Sequence, residues 1–337
     1  MEEVRYSELQ IMYEGEDISK DLDPYVLSLS CQDNGSDQAD DLEITLQDRQ
    51  RLWVSDWFPD KGAEIEASIF AHNFREVGES LEYPCGKYTI DEIEFSGPPG
   101  KVKLRCTSSA VTKSLRKEQK TKSWENTSLK TIAEQIAGMH NIGLIYDAPN
   151  VSYNRQDQRK ESDLDFLSRI GRFAGVNVKI AEQKLILYAG KSYDLQSPSV
   201  AFRPEDLTSW RFKTQAHDIY QACKVDFWDP EKKEQYTYTF TPDNPPRSGQ
   251  TLQVNKRVES RAAAEEMAKA ELRKYNENEV TASLELMGDP RLFAGLTIDL
   301  KDFWVFSGKY FLKSVRHDYS KDGGYTCSAD TRRTLEY

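Results

Sequence analysis

Four histidines, His72, His140, His217 and His317, and five cysteines, Cys31, Cys85, Cys106, Cys223 and Cys327, are the side chains best suited to hold a metal or attack an electrophile. Their spacing points to neither. No two histidines stand in an HxH, HExxH or HxxxH arrangement that would put two imidazoles on one ion, and no CxxC pair occurs. An odd cysteine count also argues against a disulfide framework, so the five are expected to be reduced, buried and small-apolar in role. Carboxylates are abundant, and a retaining glycosidase needs two of them about 5 Å apart, a separation that sequence spacing does not reveal. A glycosidase- or lysozyme-like carboxylate pair therefore stays open as an alternative. Asp37, Asp40 and Asp41 could gather round a cation, but the DxDxDG pattern with a following Glu is missing, and the stretch reads as a solvated acidic loop. GxSxG, GxxxxGK[ST] and GxGxxG are all absent. No catalytic residue, cofactor or metal is assigned.

Chemistry of contact is better represented. Trp53, Trp57 and Phe58 crowd the segment after a strand and fit either an interface anchor or a core. With Trp228, the two tryptophans would also suit a carbohydrate- or receptor-binding platform. Lys113, Arg116, Lys117, Lys120 and Lys122 place five basic residues within ten, against an acidic chain. That segment reads as a solvated linker, with a flexible arm docking on an acidic neighbouring subunit as the functional alternative. Asn126-Thr127-Ser128 fits a glycosylation acceptor, which has no meaning without a secretory route.

These side chains need a scaffold, and the spacing of apolar residues supplies one. Val4–Tyr13, Tyr25–Cys31, Leu42–Leu46, Ala63–Ala71, Tyr88–Phe95 and Lys101–Cys106 read as strands, the last two joined by the turn residues Ser96-Gly97-Pro98-Pro99-Gly100. In the middle, Leu129, Ile132, Ala133, Ile136 and Ala137 have helical spacing and lead into a strand at 141–146. The same order returns about 35 residues later. Ser162 is a helix cap with Asp165 at the capping-box position, Gly175 stops the helix, and strands at 176–180 and 184–188 follow. The last third pairs Ile219–Phe227 with Glu234–Phe240, adds a helix over Ser260–Tyr275, and closes with strands at 280–287, 296–300, 310–319 and 325–329. The expected class is α+β and β-rich, with an α/β block holding a duplicated helix-strand unit between two β-rich blocks.

Composition bounds the rest. A chain of 337 residues exceeds one ordinary domain, and 6 Trp, 17 Tyr and 14 Phe supply large side chains for cores and interfaces. A net charge of -11 repels phosphate backbones, so neither general nor sequence-specific nucleic-acid binding is expected. No apolar run is long enough to span a bilayer and no leader precedes the first strand, so cytoplasmic synthesis without membrane insertion is expected.

Several stretches together resemble the phage late control D family. They are Ala39-Asp40-Asp41-Leu42-Glu43-Ile44-Thr45-Leu46-Gln47-Asp48-Arg49, Trp57-Phe58-Pro59-Asp60-Lys61-Gly62-Ala63-Glu64-Ile65, Trp124–Ala133, Glu161–Leu167, and Leu292-Phe293-Ala294-Gly295 closing on Tyr310–His317. Their order and rough spacing, rather than any single motif, carry the likeness. It implies a structural baseplate hub of a contractile tail or phage-tail-like particle, with a tail-associated peptidoglycan hydrolase or a carbohydrate- or receptor-binding tail protein as the alternatives. It further implies two tail-tube-like β-barrel domains, 1–110 and 196–337, around an α/β insertion at 111–195. A homotrimeric ring would join the hexameric tail tube to the central trimeric spike, beside other baseplate and tape-measure proteins, first in the bacterial cytoplasm and then in the particle. Some relatives continue into a spike, whereas this sequence ends at Tyr337, so the spike is expected to be a separate protein. Cys327 stands where the family pattern suggests a second Thr and reads as a packing variant.

Overall fold

A computed structural model describes residues 4–35, 40–108, 110–181, 184–229, 234–247, 249–258 and 261–337. The first third forms β1 (Tyr6–Tyr13), β2 (Glu16–Asp17), α1 (Ser19–Leu22), β3 (Val26–Asn34), β4 (Asp41–Gln47), β5 (Glu64–His72), β6 (Ser80–Ser96) and β7 (Lys101–Ser108). The middle holds α2 (Ala110–Lys117), β8 (Gln119–Ser128), α3 (Leu129–Met139), β9 (Gly143–Asp147), β10 (Ser152–Ser162), α4 (Asp163–Arg172), β11 (Val176–Ala181), β12 (Lys184–Ala189) and α5 (Gly190–Asp194). The last third holds β13 (Val200–Phe202), β14 (Ser209–Thr214), β15 (Ala222–Asp229), β16 (Glu234–Phe240), β17 (Thr251–Val258), α6 (Arg261–Asn276), β18 (Val280–Met287), β19 (Thr297–Leu300), β20 (Gly308–Ser320) and β21 (Gly324–Arg333). The protein is β-rich with few helices.

Strict alternation builds the main sheet. In β4, Leu42, Ile44 and Leu46 are buried while the residues between them are not, the signature of a strand with one face on a core. Among the described residues, thirteen strands from the first and last thirds join one sheet, with β20 pairing β3. One core serves both thirds, running from Leu29, Ile44 and Val102 to Leu284, Leu312 and Val315.

The middle has its own core around Trp124, Ile132, Ile136, Phe166, Leu167 and Leu185. Its duplicated unit extends further than helix and strand: β8-α3-β9 and β10-α4-β11 share one order. The leading strands β8 and β10 pair antiparallel with each other, while β9 and β11 flank β12. Both helices start on a serine cap. Ser128 Oγ accepts from Thr131 N at 3.3 Å and Ser162 Oγ from Asp165 N at 3.1 Å. The segment read as a linker is instead ordered secondary structure, because α2 and β8 occupy it and Leu115 and Trp124 anchor both in the middle core. Helix α6 packs Ala264, Met267, Ala268 and Leu272 on the β16-β15-β17 sheet.

The main sheet contains a second duplication that sequence inspection overlooked. The order β3-β4-β7-β6-β5 repeats as β14-β18-β21-β20-β19, every neighbour antiparallel in both copies. Even the irregularities agree. The β6–β7 ladder shifts register between Ile90 and Glu92, and the β20–β21 ladder between Leu312 and Ser314. Aligning these bulges places Tyr88 on Tyr310, Cys106 on Thr331, Leu42 on Ala282 and Cys31 on Phe212. It also places Gly86-Lys87-Tyr88 on Gly308-Lys309-Tyr310. Gly86 and Gly308 have φ of 105° and 134°, a region costly for any residue with a Cβ, so the same bend in the long strand demands glycine in both copies. Each copy curls across its own core at the same point: Cys31 Sγ lies 3.8 Å from Tyr88 Oη, and the Phe212 and Tyr310 rings are 6.2 Å apart. The outermost strands differ, β1 lying antiparallel on β5 and β13 parallel on β19.

Candidate functional site: edges, faces and the aromatic end

The two copies of the curled sheet are not equally covered. The second half of β20, from Ser314 to Ser320, pairs with β3 on the edge away from β21. The matching half of β6, Glu92 to Ser96, pairs with β7 on one edge and has no strand on the other among the described residues, because β5 leaves off at Thr89. Likewise β3 is flanked by β4 and β20, whereas among the described residues its counterpart β14 pairs only with β18. The chain therefore contains one finished junction between copies and the two halves of another.

Burial follows this difference. At the finished junction Leu29, Val315 and His317 are 0% exposed. At the corresponding open positions Trp210 is 45% and Phe95 38% exposed, and Ile93 and Phe212 are half-buried. Apolar side chains left uncovered in a row along an open strand edge mark a surface that expects a partner.

The opposite face of the same sheet is polar. Glu43, Lys103, Arg105, Glu92 and Glu94 alternate with the core residues and pair across strands, Lys103 with Glu43 at 2.7 Å and Arg105 with Glu92 at 3.0 Å. Arg316 continues this face by donating to Gln32 Oε1 at 3.1 Å across the finished junction.

The sheet also has two unlike ends. The chain leaves it for the middle block after Ser108, and for the β15–β17 layer after Thr214. Both exits lie at the end where β3 finishes and β4 begins. Lys179 Nζ reaches Asp33 Oδ1 at 2.5 Å there, and Tyr188 Oη donates to the Gly35 carbonyl at 3.0 Å. Deeper in this region Asp194, on α5, is buried between Arg332, 2.9 Å away, and Arg273, tying the middle block to β21 and α6. The other end carries Tyr25, the β6–β7 turn and the aromatic segment. Trp53 is buried, its ring edge-on to Tyr25 at 6.2 Å and to Trp57 at 5.6 Å. Trp57 and Phe58 are 42% and 52% exposed, and Phe58 stacks on Phe95 at 5.9 Å, beside the open edge of β6.

The basic residues scatter. Lys113 lies in α2 with its side chain outside the described residues, as is that of Trp228 on β15. Arg116 is half-buried and Lys117 exposed. Lys120 is committed internally, 2.6 Å from Asp163 Oδ2, which His140 Nε2 also meets at 2.8 Å. Burial acts to raise the Asp163 carboxyl, but bonds from Gln158, Lys120 and His140 outweigh it and hold it below its ordinary value. Lys122 sits 3.5 Å above the Trp124 ring.

The cysteines are core residues. All five cysteines are free and buried, and burial pushes Cys106, Cys223 and Cys327 up to about 12, far from thiolate chemistry at neutral pH. Asp37 lies outside the described residues. Asp40 departs from the solvated reading: its Oδ1 accepts from Asn34 N at 2.8 Å, and burial raises its carboxyl to about 6. Among the described residues no three His, Cys, Asp or Glu gather as a metal site, and no helix is long and apolar enough to cross a membrane.

Sequence reading missed β14 and the open edges. The alternation Trp210-Arg211-Phe212-Lys213 carried the strand signal, and the repeated Gly-Lys-Tyr carried the duplication.

The chain is organised around duplicated sheets, open edges and unlike ends. It belongs to the phage tail baseplate hub (GPD) family, whose profile matches residues 106–323. The probable baseplate hub protein of Escherichia phage P2 is 28% identical over 184 residues, 54% of this chain and 45% of that protein, so the match spans less than half of the relative. The 43 kDa tail protein of prophage MuSo2 from Shewanella oneidensis shares the fold at TM-score 0.72 and 11% identity, over 97% of this chain and 98% of that one. An Escherichia coli component of the type VI secretion system superposes at TM-score 0.54 and 11% identity, over 91% of this chain and 73% of that one.

Proposed function

We propose that this chain is the baseplate hub of a contractile tail or phage-tail-like particle, three copies closing a ring between the tail tube and the central spike. The observation that carries this reading is the duplicated curled sheet with one junction finished inside the chain and one left open. If the open edge of β6 meets β14 of a second copy as β20 meets β3, three chains give six similar units around an axis. Such a ring offers six-fold repetition to a hexameric tube and true three-fold repetition to a trimeric spike. The two curled sheets then act as tube-like β-barrel domains within 1–110 and 196–337, with 111–195 as the insertion.

The polar face of the sheet suits the wall of a water-filled channel, since its cross-strand ion pairs leave no apolar stripe for a passing chain to adhere to. The unlike ends suit unlike partners, namely tube, spike, and other baseplate or tape-measure proteins. Trp57 and Phe58 are docking residues of the bare end, with Trp53 holding them from below. On the insertion, exposed Lys117 would meet an acidic neighbour, with Lys113 and Arg116 on the same helix, while Lys120 and Lys122 serve the insertion's own packing. Assembly would take place in the bacterial cytoplasm before the hub enters the particle.

Light scattering on the purified chain, alone and with the adjacent spike protein, tests this reading. A species of three times the 38.7 kDa chain mass supports it, and a monomer under both conditions overturns it.

A further inference from the structure

We propose that β6 of one copy pairs antiparallel with β14 of the next in a single register, with Ile93 opposite Thr214, Glu94 opposite Lys213, Phe95 opposite Phe212 and Ser96 opposite Arg211. The proposal rests on the ring reading above and specifies its joint.

The finished junction is the template. There Val315 faces Asp33, Arg316 faces Gln32, His317 faces Cys31 and Asp318 faces Ser30. The bulge-aligned ladders place β6 on β20, so that Ile93, Glu94, Phe95 and Ser96 correspond to Val315, Arg316, His317 and Asp318. Through β4 and β18 the same alignment places Thr214, Lys213, Phe212 and Arg211 on Asp33, Gln32, Cys31 and Ser30. A slip of one residue would set Phe95 and Phe212 on opposite faces, so only the template register and slips of two residues keep both turned inward.

Three independent features agree with the joint so drawn. Ile93 and Phe95 on one edge and Trp210 and Phe212 on the other are apolar, inward and partly exposed, whereas their counterparts Val315, His317, Leu29 and Cys31 at the finished junction are buried. The outward residues are acidic on one edge, Glu92 and Glu94, and basic on the other, Arg211 and Lys213. The outward pair at the template position is within bonding distance, Arg316 Nε to Gln32 Oε1 at 3.1 Å, so Glu94 and Lys213 would meet at a spacing already realised once. Arg105, now 3.6 Å from Glu94, would share it with Lys213. Main-chain hydrogen bonds and burial of the aromatic pair supply the affinity, and the exposed charges choose partner and direction.

The test uses the full chain carrying Glu94→Cys and Lys213→Cys, oxidised with diamide. Both positions are exposed on the polar face, and the five native cysteines are buried. Covalent dimers and trimers that vanish with a reducing agent are expected, and neither single-cysteine variant should form them. The pairs Glu94→Cys with Arg211→Cys and Ser96→Cys with Lys213→Cys report slips of two residues in the two directions. Trimers by mass that cross-link through a slipped pair, or through none, overturn the register and leave the ring reading standing. A chain monomeric by mass overturns both. As a second variant, Glu94→Lys should raise the concentration needed for assembly at least several-fold, and adding Lys213→Glu should restore it.

Discussion

His317 offers the clearest quantitative test of the finished junction. Its ring lies fully buried on β20, stacked 3.5 Å from Tyr83 of the other curled sheet. A neutral imidazole satisfies both nitrogens, Nε2–H donating to the Leu292 carbonyl at 3.1 Å and Nδ1 accepting from Tyr325 Oη at 2.7 Å. Burial lowers its pKa from 6.5 to about 3. The folded state therefore refuses a proton that the unfolded chain takes up below pH 6.5, and stability falls as pH drops from there toward 3. At about 1.4 kcal/mol per pH unit, acidification from pH 7 to pH 5 removes roughly 2 kcal/mol through this one group. Asp40 and Asp289, both raised to about 6 by burial, act in the opposite direction, so the contribution must be read as a difference. His317→Phe, which installs the residue found at the matching position 95, removes the titration. Urea unfolding followed by tryptophan fluorescence at pH 7 and pH 5 should show the parent losing about 2 kcal/mol more than the variant. Equal pH dependence in the two proteins, or an imidazole resonance of His317 titrating near 6.5, would refute the reasoning.

Other expectations follow from buried charge and close packing. Asp194→Ala removes the buried carboxylate between Arg273 and Arg332, leaving Arg332 with Glu277 at 3.5 Å, and should cost about 3–5 kcal/mol, read by chemical denaturation. At Gly288 an added Cβ would overlap the Tyr325 ring, so Gly288→Ala should cost about 1–3 kcal/mol and lower the melting temperature. Lys117→Glu should leave thermal stability unchanged, since the residue is exposed, while Lys120→Glu sets a carboxylate against Asp163 and should visibly lower the melting temperature of the middle block.

Much of the fold was written in local patterns. The Ser162–Asp165 cap, the stop at Gly175, the helix over residues 261–276 and the strands 280–287 and 308–320 depend on periodicity and capping, which a sequence displays directly. Strand β10 escaped because Asn154-Arg155-Gln156-Asp157-Gln158-Arg159-Lys160 offers almost no apolar alternation. It is held by pairing with β8 and by ion pairs such as Arg169 to Glu161 at 2.7 Å. The basic stretch looked like a linker because charge density hides an amphipathic helix, whose buried side includes Leu115. The joints were least legible. Phe95 reads as an ordinary strand residue and Trp210 lies outside every predicted strand, until the bulges align β6 with β20 and show which neighbours each one lacks. Composition carries no record of an edge.

The most direct test of the account is electron cryomicroscopy of the assembled hub viewed along its axis. The account predicts three copies forming six similar curled sheets, with β6 of each copy running antiparallel beside β14 of the next and the polar face turned to the channel. A ring whose copies meet through other elements, or a hub in which both edges stay exposed to solvent, would contradict it.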